Sequence, residues 1–101
     1  MGSRETNLTN QIRSRINTLI PGALILKHSD RVTRGIPDLQ VIGQVDGESL
    51  VMFIEVKTDD GTVSAPQSAF IDKVNTCGRN VTGITARSPD DIDSFLRNWK
   101  R

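Results

Sequence analysis

From Glu5 onward, Leu8, Ile12, Ile16, Leu19 and Ile20 recur at the spacing of one helical face, and Pro21 with Gly22 ends the pattern. A first amphipathic helix is expected there. Ala23 to Lys27 reads as a short strand, followed by a polar, basic loop with Ser29, Asp30, Arg31, Thr33 and Arg34 ahead of Gly35 and Pro37. Two further strands are predicted over Leu39 to Val45 and Ser49 to Lys57. Asp46-Gly47 between them is a favoured two-residue type I′ turn, so they should pair antiparallel. Beyond a polar turn (Thr58, Asp59, Asp60, Gly61), Ser64 opens a second helix carrying Phe70, Ile71, Val74 and Cys77, with Gly78 as its stop. Val81 to Ala86 is a fourth strand, and Ser88-Pro89 starts a last helix with Ile92, Phe95, Leu96 and Trp99. The order αβββαβα predicts an α/β fold, a mixed sheet flanked by helices, with a parallel crossover from the third strand through the second helix to the fourth.

Composition narrows the class. At 101 residues, with 36% hydrophobic and 25% charged side chains, the chain has the make-up of one globular domain, residues 1–101. Leu50 to Ile54 is the longest apolar run, too short to cross a bilayer, and no signal peptide opens the sequence, so a cytoplasmic protein is expected. Cys77 and His28 are the only residues of their kind, which excludes a disulfide framework and a structural zinc site. Any metal would therefore sit on oxygen ligands. The formal net charge of +1 lacks the signature of a domain that holds nucleic acid by charge alone, although an acidic metal site would mask a basic surface around it. Few aromatics and no Tyr weigh against base stacking on a sheet.

Register supplies the candidate chemistry. With Asp46 and Gly47 as the turn, Val45 faces Glu48, and counting outward in equal steps sets Asp38 opposite Glu55. Directly opposed like charges are destabilising, and a divalent cation is the natural compensation. Lys57 falls on the same face as Glu55, roughly 7 Å along the strand. Paired acids with an adjacent ammonium suit phosphodiester hydrolysis, in which a metal activates water and stabilises charge on the phosphate. Taken singly, Asp38 also reads as a turn cap after Pro37, and Glu55 with Lys57 as an exposed strand pair.

Pro37-Asp38 with Glu55-Val56-Lys57 resembles the signature of the PD-(D/E)xK nucleases. Gly35, Ile36, Pro37, Asp38, Leu39, then Glu55, Val56, Lys57, Thr58, Gly61, Ser64 and Gln67, resemble the VRR-NUC family (virus-type replication and repair nucleases) over roughly residues 5 to 86. The resemblance implies a restriction-endonuclease-like fold and a DNA endonuclease using Mg²⁺ or Mn²⁺. It assigns Asp38 and Glu55 as metal-binding carboxylates, the Val56 backbone carbonyl as a further ligand, Lys57 as the catalytic lysine and Gln67 as a glutamine of the site. Ser64 to Gln67 is equally an S-x-x-Q capping box, and the two readings of Gln67 are compatible. Glu5 would be the helix-borne acid that some members add to the metal site. Lys27, His28, Arg31 and Arg34 are candidate phosphate contacts, or simply a solvated loop. The resemblance further ties the chain to phage or mobile-element replication, recombination or repair. A nuclease this small, with a net charge of +1, should hold DNA weakly as one copy, so a homodimer acting on branched DNA such as a Holliday junction is expected, in analogy with free-standing members of the family; Phe95, Leu96 and Trp99 of the last helix are as ready to pack on the sheet as to supply the interface. A sequence-specific restriction-type nuclease and a catalytically silent nucleic-acid-binding module on the same fold are the alternatives.

Overall fold

The computed structural model describes residues 3–28 and 35–100. Helix α1 (Arg4–Leu19) begins at Ser3, whose hydroxyl accepts the Thr6 amide proton, and is followed by β1 (Leu24–Lys27), β2 (Leu39–Val45) and β3 (Glu48–Val56). Then come α2 (Ala65–Val74), β4 (Val81–Ala86) and α3 (Pro89–Trp99). The sheet order is β1-β2-β3-β4, antiparallel except for the β3–β4 pair, which is parallel. The expected mixed sheet and element order are therefore present.

One face of the sheet carries the core. Leu39 and Val41 from β2, Leu50, Met52, Ile54 and Val56 from β3, and Ala86 from β4 pack against Ile12, Ile16 and Ile20 from the α1 segment and Ile92, Leu96 and Trp99 of α3. Every second residue of β3 thus turns inward, as strand alternation requires. Burying such side chains at roughly 1.5–3 kcal/mol each is what holds the helices to the sheet. Phe95, Leu96 and Trp99 are engaged in or against this core, with Leu96 and Trp99 buried. Of the two places open to its apolar face, the last helix therefore takes the sheet.

The opposite face is thinly covered. Helix α2 packs on β4, with Phe70 edge-on to Phe53 at 5.4 Å, yet none of its own residues is buried. Beyond its reach, Leu24, Leu26 and Ile42 remain exposed. The helix also stops earlier than its apolar spacing predicts, at Val74 and not Cys77. Asn75 explains this: its side chain donates to the Gly83 carbonyl and accepts from the Gly83 amide, fastening the helix end to β4 instead of continuing the turn. Cys77 lies beyond the helix and is exposed. No described helix is long and apolar enough to cross a membrane.

Candidate active site

The β2–β3 hairpin sets the site. Asp46 and Gly47 both adopt positive φ, 54° and 79°, as a type I′ turn requires, and the pairing runs from Val45 opposite Glu48 to Leu39 opposite Ile54. Just beyond that last pair come Asp38, which precedes β2, and Glu55, which strand alternation turns to the face away from the core. The Asp38 carboxylate does not cap its own turn; Oδ2 accepts the Val56 amide proton at 3.1 Å. Its backbone carbonyl accepts from the His28 amide at 2.7 Å, which ties the end of β1 to the same spot.

Glu55 is not an exposed strand residue either, being only 2% exposed. Its Oε2 accepts from Gln67 Nε2 at 2.7 Å and lies 3.3 Å from Lys57 Nζ. Burial pushes the Glu55 carboxyl above its ordinary pKa, and the charge of Asp38 adds to that. Lys57 and the nearby Asp38 backbone act in the opposite sense and more weakly. Glu55 Oε1 is buried and accepts no hydrogen bond among the described residues, an unsatisfied acceptor near a second carboxylate. A hard divalent cation is the partner that oxygen donors of this kind suit, so Asp38 and Glu55 fit a metal on chemical grounds.

Helix α2 reaches Glu55 through an unusual contact at its start. Gly35, at φ +81°, lies so close to α2 that an added Cβ would be 2.3 Å from the Pro66 carbonyl oxygen. That approach seats the first turn of α2 over the acids. Both halves of the Gln67 amide are then used: Oε1 accepts from the Ser64 amide at 3.0 Å to complete the capping box, while Nε2 holds Glu55. One side chain thus completes the helix cap and holds Glu55 at the same time.

The remaining candidates are placed less centrally. Glu5 shares a polar cleft with Asp38 and Lys27, but it is exposed, and among the described residues no three His, Cys, Asp or Glu side chains come together as a ready metal cluster. Lys27 ends β1 opposite Leu39 and is exposed on that cleft. His28 is half-buried, with Nε2 at 2.8 Å from Gln40 Oε1 and its ring stacked 6.5 Å from Phe53. Arg31 and Arg34 lie outside the described residues. Asp60 accepts from the Thr58 hydroxyl and faces Arg4 at 3.7 Å, as a turn residue would.

Two arginines escaped the sequence reading. Arg87 Nη1 donates to the Thr58 and Gly61 carbonyls at 2.7 and 2.8 Å, pinning the turn that follows Lys57. No motif marks it, because its partners are backbone atoms. Arg13 lines the cleft beside Lys27 and Asp38; its signal was its position eight residues after Glu5, on the same helical face.

A family model described as the VRR-NUC domain matches residues 3–88. A solved structure titled "VRR_NUC domain" is similar at a TM-score of 0.73 and 23% identity, over 95% of this chain and 97% of that one. No curated protein matches the sequence. The structural likeness speaks for the shared fold, and the sequence match spans α1, the hairpin with both acids and the helix that holds Glu55. The chain therefore belongs to the VRR-NUC family, and its fold is that of a nuclease domain of the PD-(D/E)xK type.

Proposed function

We propose that this protein is a divalent-metal-dependent DNA endonuclease that hydrolyses phosphodiester bonds and prefers branched DNA to plain duplex. The observation that carries the reading is Glu55: a buried carboxylate with one oxygen unpartnered among the described residues, within reach of the Asp38 charge and flanked by Lys57. A silent binding module would have no reason to keep so costly an arrangement.

Asp38, Glu55 and the Val56 carbonyl would hold Mg²⁺ or Mn²⁺, with Glu5 joining only if the α1 terminus closes toward them. Bound there, the ion supplies positive charge that offsets the charge developing on the phosphate and makes water easier to deprotonate. Lys57 Nζ, 19% exposed, points to the same carboxylate and is placed to donate to the attacking water or a phosphate oxygen. Gln67 fixes the Glu55 rotamer and so acts as a positioning residue. Lys27 offers a phosphate contact at the mouth of the cleft.

The test is cleavage of duplex, flap, splayed-arm and four-way-junction DNA with Mg²⁺ or Mn²⁺ and with EDTA. Cleavage should disappear in EDTA, and Lys57→Ala should lose turnover by on the order of 10²-fold or more while still binding DNA. Metal-independent cleavage, or full turnover in Lys57→Ala, would contradict these roles.

The described residues share one sheet and one core, which supports a single nuclease domain over residues 1–101. With a net charge of only +1, one copy should hold DNA weakly at physiological salt, and pairing two copies doubles the contact surface. Two-fold symmetry would also present two sites to the two strands cut at a four-way junction. A homodimer acting in the cytoplasm, of a bacterial host if the gene is viral, on recombination or repair intermediates follows from this reading. Light scattering should give twice the mass of one chain; a strict monomer cutting linear duplex as fast as a junction would remove the dimer and the branched preference together.

A further inference from the structure

Beside the acids lies a polar cleft of about 340 Å³, lined among others by Glu5, Thr6, Asn10, Arg13, Lys27 and Asp38. Its walls come from α1 on one side and from the end of β1 and the start of β2 on the other. Charge within it is divided. Asp38, the carboxylate opposed to Glu55, stands on the sheet side with Lys27, and Arg13 faces the cleft from the helix, two turns beyond Glu5.

Arg13 is not a free surface cation. It is half-buried, next in sequence to the fully buried Ile12, so its helix face is fixed by the core. Four other arginines find anions or carbonyls: Arg4 faces Asp60, Arg15 faces Asp90 and Asp93, Arg79 pairs with Glu48, and Arg87 grips two carbonyls, while Arg97 on α3 donates to the Ser94 hydroxyl. Among the described residues no such partner is recorded for Arg13 or for Lys27. The planar guanidinium of Arg, with its fork of donors, is matched to phosphate oxygens.

We propose that Arg13 and Lys27 together bind the backbone phosphate next to the scissile one, so that the cleft is the track along which the DNA strand reaches Asp38 and Glu55. This rests on the nuclease reading above and adds a strand path and a binding residue to it. Asp38 serves the reacting phosphate, and the cations on the two walls, Lys27 from the sheet and Arg13 from the helix, hold its neighbour. Phosphate contacts of this kind position the strand without reading its sequence. Arg13 therefore acts on binding, not on the chemical step.

The experiment measures binding of a fluorescent four-way junction and a matched duplex in Ca²⁺, across a salt series, with cleavage kinetics in Mg²⁺. Wild type is compared with Arg13→Ala, Arg13→Lys, Lys27→Ala and, as a control for charge alone, Arg97→Ala. Arg97 is exposed on α3 and donates only to Ser94, so its loss removes the same charge from a remote surface. Arg13→Ala and Lys27→Ala should each weaken binding about tenfold and reduce the slope of log affinity against log salt by about one. KM should rise while kcat stays within a few-fold, and Arg13→Lys should recover part of the affinity. Arg97→Ala should bind within about twofold of wild type, the small change expected of a remote surface charge. Equal effects of Arg13→Ala and Arg97→Ala, or an unchanged salt slope in folded Arg13→Ala and Arg13→Lys, would overturn the proposal while cleavage by wild type upheld the nuclease reading. A wild type that neither binds nor cuts DNA would remove both.

Discussion

Glu55→Gln and Asp38→Asn should each abolish cleavage, by on the order of 10³-fold or more, and each should make the metal-free protein more stable rather than less. The two effects have one cause. Asp38 stands one residue before β2, close enough for its charge to act on Glu55, and Glu55 is buried with an oxygen that finds no partner among the described residues. Without a cation the pair repels, and its charge is poorly solvated. A neutral amide at position 55 keeps an oxygen for Gln67 Nε2 while removing the charge that faces Asp38. The expected gain is about 1 kcal/mol in the absence of metal, read from urea unfolding with EDTA present. Added Mg²⁺ should raise the melting temperature of wild type and leave Glu55→Gln unmoved, because a ligand that binds only the folded state stabilises it by mass action. The melting comparison needs no substrate, so it separates metal binding from catalysis. A destabilised Glu55→Gln whose melting still responds to Mg²⁺ would mean that Glu55 is a structural ion-pair partner of Lys57 and no ligand.

Much of this site was legible in the chain because it depends on counting. A two-residue Asp46-Gly47 turn admits one register, which runs out to Leu39 opposite Ile54 and so leaves Asp38 next to Glu55, with Lys57 beside Glu55. The apolar periodicity of α1 and α3 likewise marks the residues that form the core. What stayed hidden depends on contacts between distant parts of the chain. Asp38 reads as a turn cap until the Val56 amide is seen to occupy it. The end of α2 is decided by Asn75 bonding to β4, which no helix pattern records. The aromatic and aliphatic residues of α3 suit a partner or the sheet equally by pattern, and only the packing shows that the sheet takes them. Glu5 sits on the predicted face of α1, yet being on the right face of a helix does not carry its carboxylate to Asp38 and Glu55; it reaches the cleft and remains exposed there. Arg13 follows the same face and was missed because a lone arginine has no motif.

Gly35→Ala should be the most damaging single substitution outside the acids, costing about 3 kcal/mol or more of stability, and it should injure the site as well. Two penalties coincide at this position. A side chain at φ +81° adopts a left-handed backbone, which costs roughly 1–2 kcal/mol. An added Cβ would also lie 2.3 Å from the Pro66 oxygen, 2.5 Å from its carbonyl carbon and 3.0 Å from the Gln67 nitrogen, all backbone atoms that cannot swing aside. Overpacking of that kind adds about 1–3 kcal/mol. Gly22 provides the control within the same molecule, since its φ is +82° but a Cβ there would meet nothing within 4 Å. Gly22→Ala should therefore show the backbone penalty alone, roughly 1–2 kcal/mol before the entropic offset that both substitutions share. The difference between the two variants measures the clash. Relief of that clash requires the first turn of α2 to move away, carrying Gln67 from Glu55, so Gly35→Ala should lose cleavage at temperatures where it is still folded and Gly22→Ala should not. Equal losses in the two variants would show that α2 yields freely, and that the Gln67 hold on Glu55 does not depend on the close packing at Gly35.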